Sequence, residues 1–155
     1  MNAVAESIDQ INLKYLILLW CDQILITKRT IENTIKNYNY LVLPVTEQEK
    51  PYVQISVFSN KIKISETIEG DIVSIKGKKD IGLFKINRSY FKKLILKNKS
   101  KILEGKVTKE KNFLKLFEFM QLKDIKFIKV QNSEEGLGIN DKSDVKKVYM
   151  YLNNF

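Results

Sequence analysis

The chain contains no histidine and a single cysteine, Cys21. The first absence removes histidine general bases, Ser–His and Cys–His nucleophile pairs, and histidine-containing zinc sites. The second excludes an intramolecular disulfide and points to a reducing compartment, or to indifference to one. Long apolar runs are also missing. The longest, Tyr15–Trp20, is soon broken by Asp22 and Gln23; a membrane span needs about 20 apolar residues. The first 22 residues lack a basic n-region, a small-residue cleavage site and an Arg-rich amphipathic pattern, so neither a signal nor a transit peptide is expected. Any enzyme built on this chain would work with carboxylates, Lys, Tyr or Ser.

What is present is a globular composition, 44% hydrophobic and 29% charged over 155 residues, enough for one domain or two very small ones. The net charge of +9 is unevenly placed. Residues 1–75 hold 7 basic and 9 acidic side chains, residues 76–155 hold 20 and 9, and within that half 76–111 holds 13 and 3. The excess is therefore one block, which predicts a polyanionic partner and binding that weakens steeply with salt.

Patterning predicts helices at both ends of the chain and a sheet between. Ser7-Ile8-Asp9-Gln10 fits a capping box opening a helix over 8–24, and Thr27 or Thr30 caps a second, ending near 37–39. Val53, Ile55 and Val57, then Ile62 and Ile64, alternate on either side of Ser59-Asn60 as a hairpin. A further strand pair, 71–76 and 82–86, brackets a loop at 77–80. Asn87 caps a helix whose Tyr90, Phe91, Leu94 and Ile95 share one side while lysines crowd the other. Residues 106–122 fit helix or strand equally, 125–130 reads as a strand, and Val145, Val148, Tyr149 and Leu152 mark a terminal docked helix. The order describes an α+β chain: small antiparallel sheets, each covered by a helix, behind an N-terminal helical extension. The expected units are 1–46, 47–101 and 102–155.

Four motifs bear on function. The stretch IKGKKDIG at 75–82 gathers Lys76, Lys78 and Lys79 between glycines without the spacing of a P-loop. Glu104-Gly105-Lys106, with Asp71 or Asp80, has the residue types of a metal-dependent nuclease, but so short a match arises readily by chance. Residues 24–38 suit the recognition helix of a winged-helix DNA-binding protein, with the 52–64 hairpin as wing. Tyr90, Phe91, Phe113, Phe117 and Phe119 would stack on bases if exposed, and read first as core.

Two stretches resemble the large-subunit ribosomal protein six family. Ile62–Glu66 with IVSIKGKKDIGLFKI at 72–86 is similar to the opening strands of its first domain. Ile128–Val130 followed by LGINDKSDVKKVYMYL at 137–152 is similar to the end of its second domain. Residue 65 is Ser where the family has Pro, the second-domain GVGY segment and basic tail have no counterpart, and residues 1–50 lie outside the match. The resemblance implies two duplicated sheet-plus-helix units and rRNA contact through Lys76, Lys78, Lys79, Lys142, Lys146 and Lys147.

These readings converge on a non-catalytic, structural rRNA-binding protein, organelle-encoded and mitochondrial, with ribosomal proteins as neighbours along the N-terminal helices. The basic block adds Lys85, Arg88, Lys92, Lys93, Lys97, Lys99 and Lys101 to the contact set. No catalytic residue, metal, cofactor, membrane or small-molecule substrate is expected. The alternatives are a viral or plasmid winged-helix protein and a protein-interaction module.

Overall fold

A computed structural model describes residues 2–153. Four helices, α1 (Asn2–Gln10), α2 (Lys28–Lys36), α3 (Arg88–Asn98) and α4 (Lys142–Asn153), accompany seven strands: β1 (Tyr15–Leu19), β2 (Leu41–Glu49), β3 (Val53–Phe58), β4 (Lys61–Glu66), β5 (Lys76–Asp80), β6 (Leu83–Asn87) and β7 (Ile125–Lys129). The architecture is α+β, and every strand pairing is antiparallel except that of β7 with β2. All seven strands join one sheet, and the expected boundary at 46/47 falls inside β2.

The centre of that sheet is β2, whose Leu41, Val42, Leu43 and Val45 are almost fully buried. Leu41 pairs with Ile125 and with Ile86, and Val45 with Lys129 and with Asp80. Since β7 takes one edge from Leu41 to Val45, where β2 also meets Ile86, Lys85 and Asp80, β5 and β6 both lie on the other edge and run in the same direction. Residues 76–87 are thus one strand, broken by a bulge at Ile81-Gly82. Expectation placed a loop at 77–80, and the structure corrects it. Glu47 and Glu49 on β2 stand opposite Lys78 and Lys76 on β5, and opposite charges across a ladder favour the strand.

The bulge depends on glycine. Gly82 has φ +72°, its N–H is accepted by Asp80 Oδ1 at 2.9 Å, and its carbonyl accepts Trp20 N–H at 2.8 Å. A Cβ there would lie 2.5 Å from Gln23 Cγ and 2.6 Å from Trp20 Cδ1. Beyond the bulge, β6 carries β1 and β5 carries the β3–β4 hairpin. The hairpin turns at Ser59-Asn60 with both φ positive, at +45° and +63°, as two-residue hairpin loops require.

The expected helix over 8–24 is instead α1 followed by β1. Apolar side chains that nearly encircle a helical wheel serve equally a strand apolar on both faces, and pairing with β6 decides the outcome. Behind the sheet, Phe84, Phe91, Phe113 and Phe117 make mostly edge-on contacts at 5.3–6.2 Å between centroids. This aromatic cluster joins α3 and the 3₁₀ segment Phe113–Phe119 to the sheet. Thr27 caps α2 and Asn87 caps α3, each through its side-chain oxygen.

Lys85 fastens α2. Only 4% exposed, its Nζ donates to the carbonyls of Ile35 (2.5 Å) and Asn37 (2.6 Å) at the helix end and lies 4.5 Å from the ring centroids of Tyr15 and Tyr38. Replacing it with Ala leaves those carbonyls without their donor, and urea titration is expected to show a loss of about 2 kcal/mol at unchanged m-value. Gly82→Ala introduces both a clash and a disfavoured backbone, and the same measurement should show a loss of more than about 2 kcal/mol.

Candidate functional site

Helix α3 divides its cations by face. Phe91, Leu94 and Ile95 are buried, Lys92 turns to α1 and pairs with Asp9 at 2.6 Å, and Lys99 lines the α1–α3 groove. Lys93 and Lys97 lie one turn apart on the same side of α3, and Lys101, in the 3₁₀ turn Lys99–Lys101 that follows, lines the same hollow. Across from them stands Lys61, at the start of β4. With Tyr90, Leu94, Asn98 and Phe119 these lysines line an open hollow of about 430 Å³.

None of the four lysines is ion-paired among the described residues. Phe119 is 39% exposed beside them. Tyr90 stacks on Tyr40 at 4.3 Å between centroids and donates its hydroxyl to Asp124 Oδ2 at 3.2 Å. Burial, with the nearby Asp124 charge, pushes the Tyr90 phenol up to about 12. At neutral pH it is a fixed neutral hydroxyl. The hollow therefore offers positive charge not taken up by carboxylates of the described residues, and aromatic surface.

Lys101 and Phe119 also border a second hollow, of about 370 Å³, lined by Glu66, Glu69, Asp71, Glu104, Glu110 and Glu118 together with Lys106 and Lys115. Four of its charged groups, Lys115, Glu66, Asp71 and Glu118, are committed to one another. Lys115 Nζ donates to Ile64 O at 2.5 Å and stands 3.6–3.9 Å from Glu66, Asp71 and Glu118. Glu118 accepts Ile64 N–H at 2.7 Å, so the outer edge of β4 is occupied by side chains. Asp71, Glu104 and Lys106, singled out in sequence, do meet in this hollow, whereas Asp80 is buried in the β5–β6 bulge. Among the described residues no group of three or more Cys, Asp or Glu is assembled to hold a metal ion.

The remaining cations of the expected contact set have internal duties or lie elsewhere. Lys76 is 3.5 Å from Glu47, Lys79 donates to Gly136 O at 2.8 Å, Arg88 donates to Ile8 O at 2.9 Å, and Lys147 pairs with Asp144 at 2.8 Å. Burial lowers the affinity of Lys79 and of Lys85 for protons. Lys78 is exposed on β5, and Lys142 and Lys146 are exposed on α4. Of the expected set, then, the structure gathers Lys93, Lys97 and Lys101. It adds Lys61, which alternation in a hairpin did not distinguish from Lys63, and of the aromatics named in the sequence it brings Tyr90 and Phe119 to the same hollow.

No protein-family profile matches the chain, and no curated protein resembles it in sequence. The fold recurs in solved synthetase and synthase structures. One neighbour is CMP:2-keto-3-deoxy-manno-octonic acid synthetase complexed with CTP, at TM-score 0.63 and 15% identity, covering 99% of this chain and 67% of that one. Another is 4-diphosphocytidyl-2C-methyl-D-erythritol synthase from Anaerococcus prevotii, at TM-score 0.63 and 14% identity, covering 97% and 64%. At these identities the likeness is one of fold, and the chain spans about two thirds of either neighbour's length.

This likeness overturns the expected membership of the ribosomal protein six family. The two stretches that carried it, 62–86 and 128–152, contribute β4, β5, β6 and β7 to one sheet instead of two duplicated units. The rRNA partner, the ribosomal neighbours, the non-catalytic role and the absence of a small-molecule substrate fall with it, because the solved neighbours are a synthetase held with CTP and a synthase. The winged-helix alternative fails on geometry: α2 packs on β2 and β6, while the would-be wing hangs from β5. Nor does the fold favour the interaction module.

Glu69 supplies a pH-dependent feature of the second hollow. It accepts Val107 N–H (2.9 Å), Thr108 N–H (3.0 Å) and the Thr108 hydroxyl (2.7 Å). Those hydrogen bonds favour the carboxylate and hold its pKa at about 2. Because the folded value is depressed, the anchoring is complete above about pH 4.5 and is lost as pH falls toward 2. NMR titration should show the Val107 and Thr108 amide resonances moving as pH approaches about 2. In Glu69→Gln they should stay unmoved by acid.

Proposed function

We propose that this chain binds a nucleoside triphosphate, with its phosphates among Lys61, Lys93, Lys97 and Lys101, and serves a nucleotidyl-transfer reaction. The observation that carries the reading is that hollow: four cations without carboxylate partners beside a half-exposed aromatic ring, in a volume suited to a small ligand. The fold supports it, since both solved neighbours are named for products carrying a cytidine nucleotide and one holds CTP. Fold alone does not assign a reaction. The charge of the hollow supplies what the fold cannot, a reason for phosphate.

In such a transfer an acceptor oxygen attacks the α-phosphorus. The bond from that phosphorus to the oxygen bridging it to the β-phosphate breaks, pyrophosphate leaves with the electron pair, and the acceptor's proton passes to solvent. Positioning and neutralisation of the leaving phosphates are the protein's main contribution. Lys93 and Lys97, one turn apart on α3, and Lys101 in the 3₁₀ turn that follows line the side along which a polyphosphate lies, and Lys61 closes the opposite side. Phe119 provides a face for the base.

Calorimetric titration with CTP tests this. CTP should bind, cytidine should bind far more weakly, and added salt should weaken CTP. Lys93→Gln with Lys97→Gln should lower CTP affinity by about tenfold or more, while Lys142→Gln with Lys146→Gln leaves it unchanged. Absence of CTP binding, or affinity indifferent to the α3 pair, overturns the reading.

A further inference from the structure

Leu94 and Asn98 stand one turn apart on α3, and both are buried, at 8% and 4% exposure. The lysines that line the same hollow are exposed. Leu94 and Asn98 therefore form its floor, with Lys61, Lys93, Lys97 and Lys101 as its rim. Asparagine is mostly an exposed residue, and one withdrawn from water ordinarily has its polar atoms paired.

Only half of the Asn98 amide is paired. Its Nδ2 donates to Leu94 O at 3.0 Å. That bond also fixes which end of the amide is which, since a backbone carbonyl can only accept and the group facing it must be the nitrogen. Oδ1 is left with no hydrogen-bond partner among the described residues. Nor is it sealed in: among those residues Gln23 Oε1 is the one fully buried side-chain oxygen without a partner. The lone pairs of Asn98 Oδ1 are open to a ligand in the hollow that Asn98 lines.

The other polar side chains of the hollow differ in kind. Lysine ammonium groups donate and never accept. The Tyr90 hydroxyl gives its proton to Asp124 Oδ2, so it too has only lone pairs left to offer. Anionic oxygens of a ligand are thus matched at the rim, whereas the floor is matched by a group with an N–H to give.

We propose that Asn98 Oδ1 reads the base of the nucleotide by accepting a hydrogen bond from its exocyclic amine, and so selects cytosine over uracil. This rests on the reading of the hollow as a nucleoside triphosphate site. With the phosphates on the lysines and the ring against Phe119, the edge of the base is the part of the ligand left to meet the floor. Cytosine N4 donates there. Uracil carries a carbonyl oxygen at the same ring position and would set oxygen against oxygen. The amide cannot turn over to suit it, because Oδ1 would then face Leu94 O, and both only accept. Leu94 beneath offers no polar side chain in compensation. A site built to hydrogen-bond one group rejects the analogue lacking it, since the site's own polar atom is left unpaired.

Calorimetric titration of the full chain with CTP and with UTP tests this. The wild type should bind CTP about tenfold or more tightly than UTP. Asn98→Ala should lose that preference by weakening CTP while leaving UTP unchanged, with circular dichroism reporting that it remains folded. A role confined to holding α3 would weaken both nucleotides alike, and that result overturns the proposal. So does a CTP preference that survives in Asn98→Ala. Should that variant fail to fold, the wild-type ratio decides alone: equal affinity for CTP and UTP, each still reduced by Lys93→Gln with Lys97→Gln, removes the role of Asn98 and leaves the triphosphate site standing. Absence of binding by either nucleotide overturns both readings.

Discussion

The antiparallel contact between β2 and residues 76–87 is the constraint on which the rest of the structure depends. Neither partner is an ordinary strand: β2 is buried on its apolar positions and paired on both edges over its first half, and its neighbour bends in the middle at Ile81-Gly82. Because of that bend, one continuous strand carries β1 on its second half and the β3–β4 hairpin on its first. The two wings wrap the apolar space in which Phe84 meets Phe113 and Phe117. A straight strand of the same length would give a flatter sheet and no reason for the 3₁₀ segment Phe113–Phe119 to pack where it does.

The same contact positions the candidate site. Asn87 ends β6 and caps α3 in one residue, so the direction in which α3 leaves the sheet is fixed by the strand before it. Phe91, Leu94 and Ile95 then dock on the aromatic cluster, which turns Lys93 and Lys97 outward toward Lys61 of β4 and toward Phe119, with Lys101 of the following turn beside them. Core and site are opposite faces of one helix. The second hollow, beside Lys101, is organised differently: Lys115 stands among Glu66, Asp71 and Glu118, and with Glu118 it secures the edge of β4.

Much of the framework was legible in the sequence. The caps at Thr27 and Asn87, the Ser59-Asn60 hairpin and the strand at 125–129 carry local signals that tertiary context does not override. What was illegible is instructive. Residues 15–19 have an apolar pattern that suits both a helix and a strand, and only the partner β6 settles it. Residues 76–80 look like a basic loop because five consecutive polar or glycine residues lack apolar alternation, yet Glu47 and Glu49 across the ladder make a strand of them. The basic block was visible as a block, but not its division of labour. Lys79, Lys85, Arg88 and Lys92 serve the fold, and burial or pairing of this kind leaves no mark on net charge. The resemblance to a ribosomal family rested on short strands whose sequence any sheet might share, and it gave no view of how those strands are ordered in space.

The pair Lys93 and Lys97 on α3 carries a thermodynamic consequence of its own. Like charges four residues apart on a helix repel by a few tenths of a kcal/mol per pair, so the end of α3 folds against its own electrostatics and is held by the apolar face beneath. An anion lying along the pair relieves that repulsion in the folded state and finds no comparable array in the unfolded chain. On the proposed reading, occupancy of the hollow and integrity of the helix are linked by mass action, and the protein's resistance to unfolding would rise with the concentration of the anion it binds.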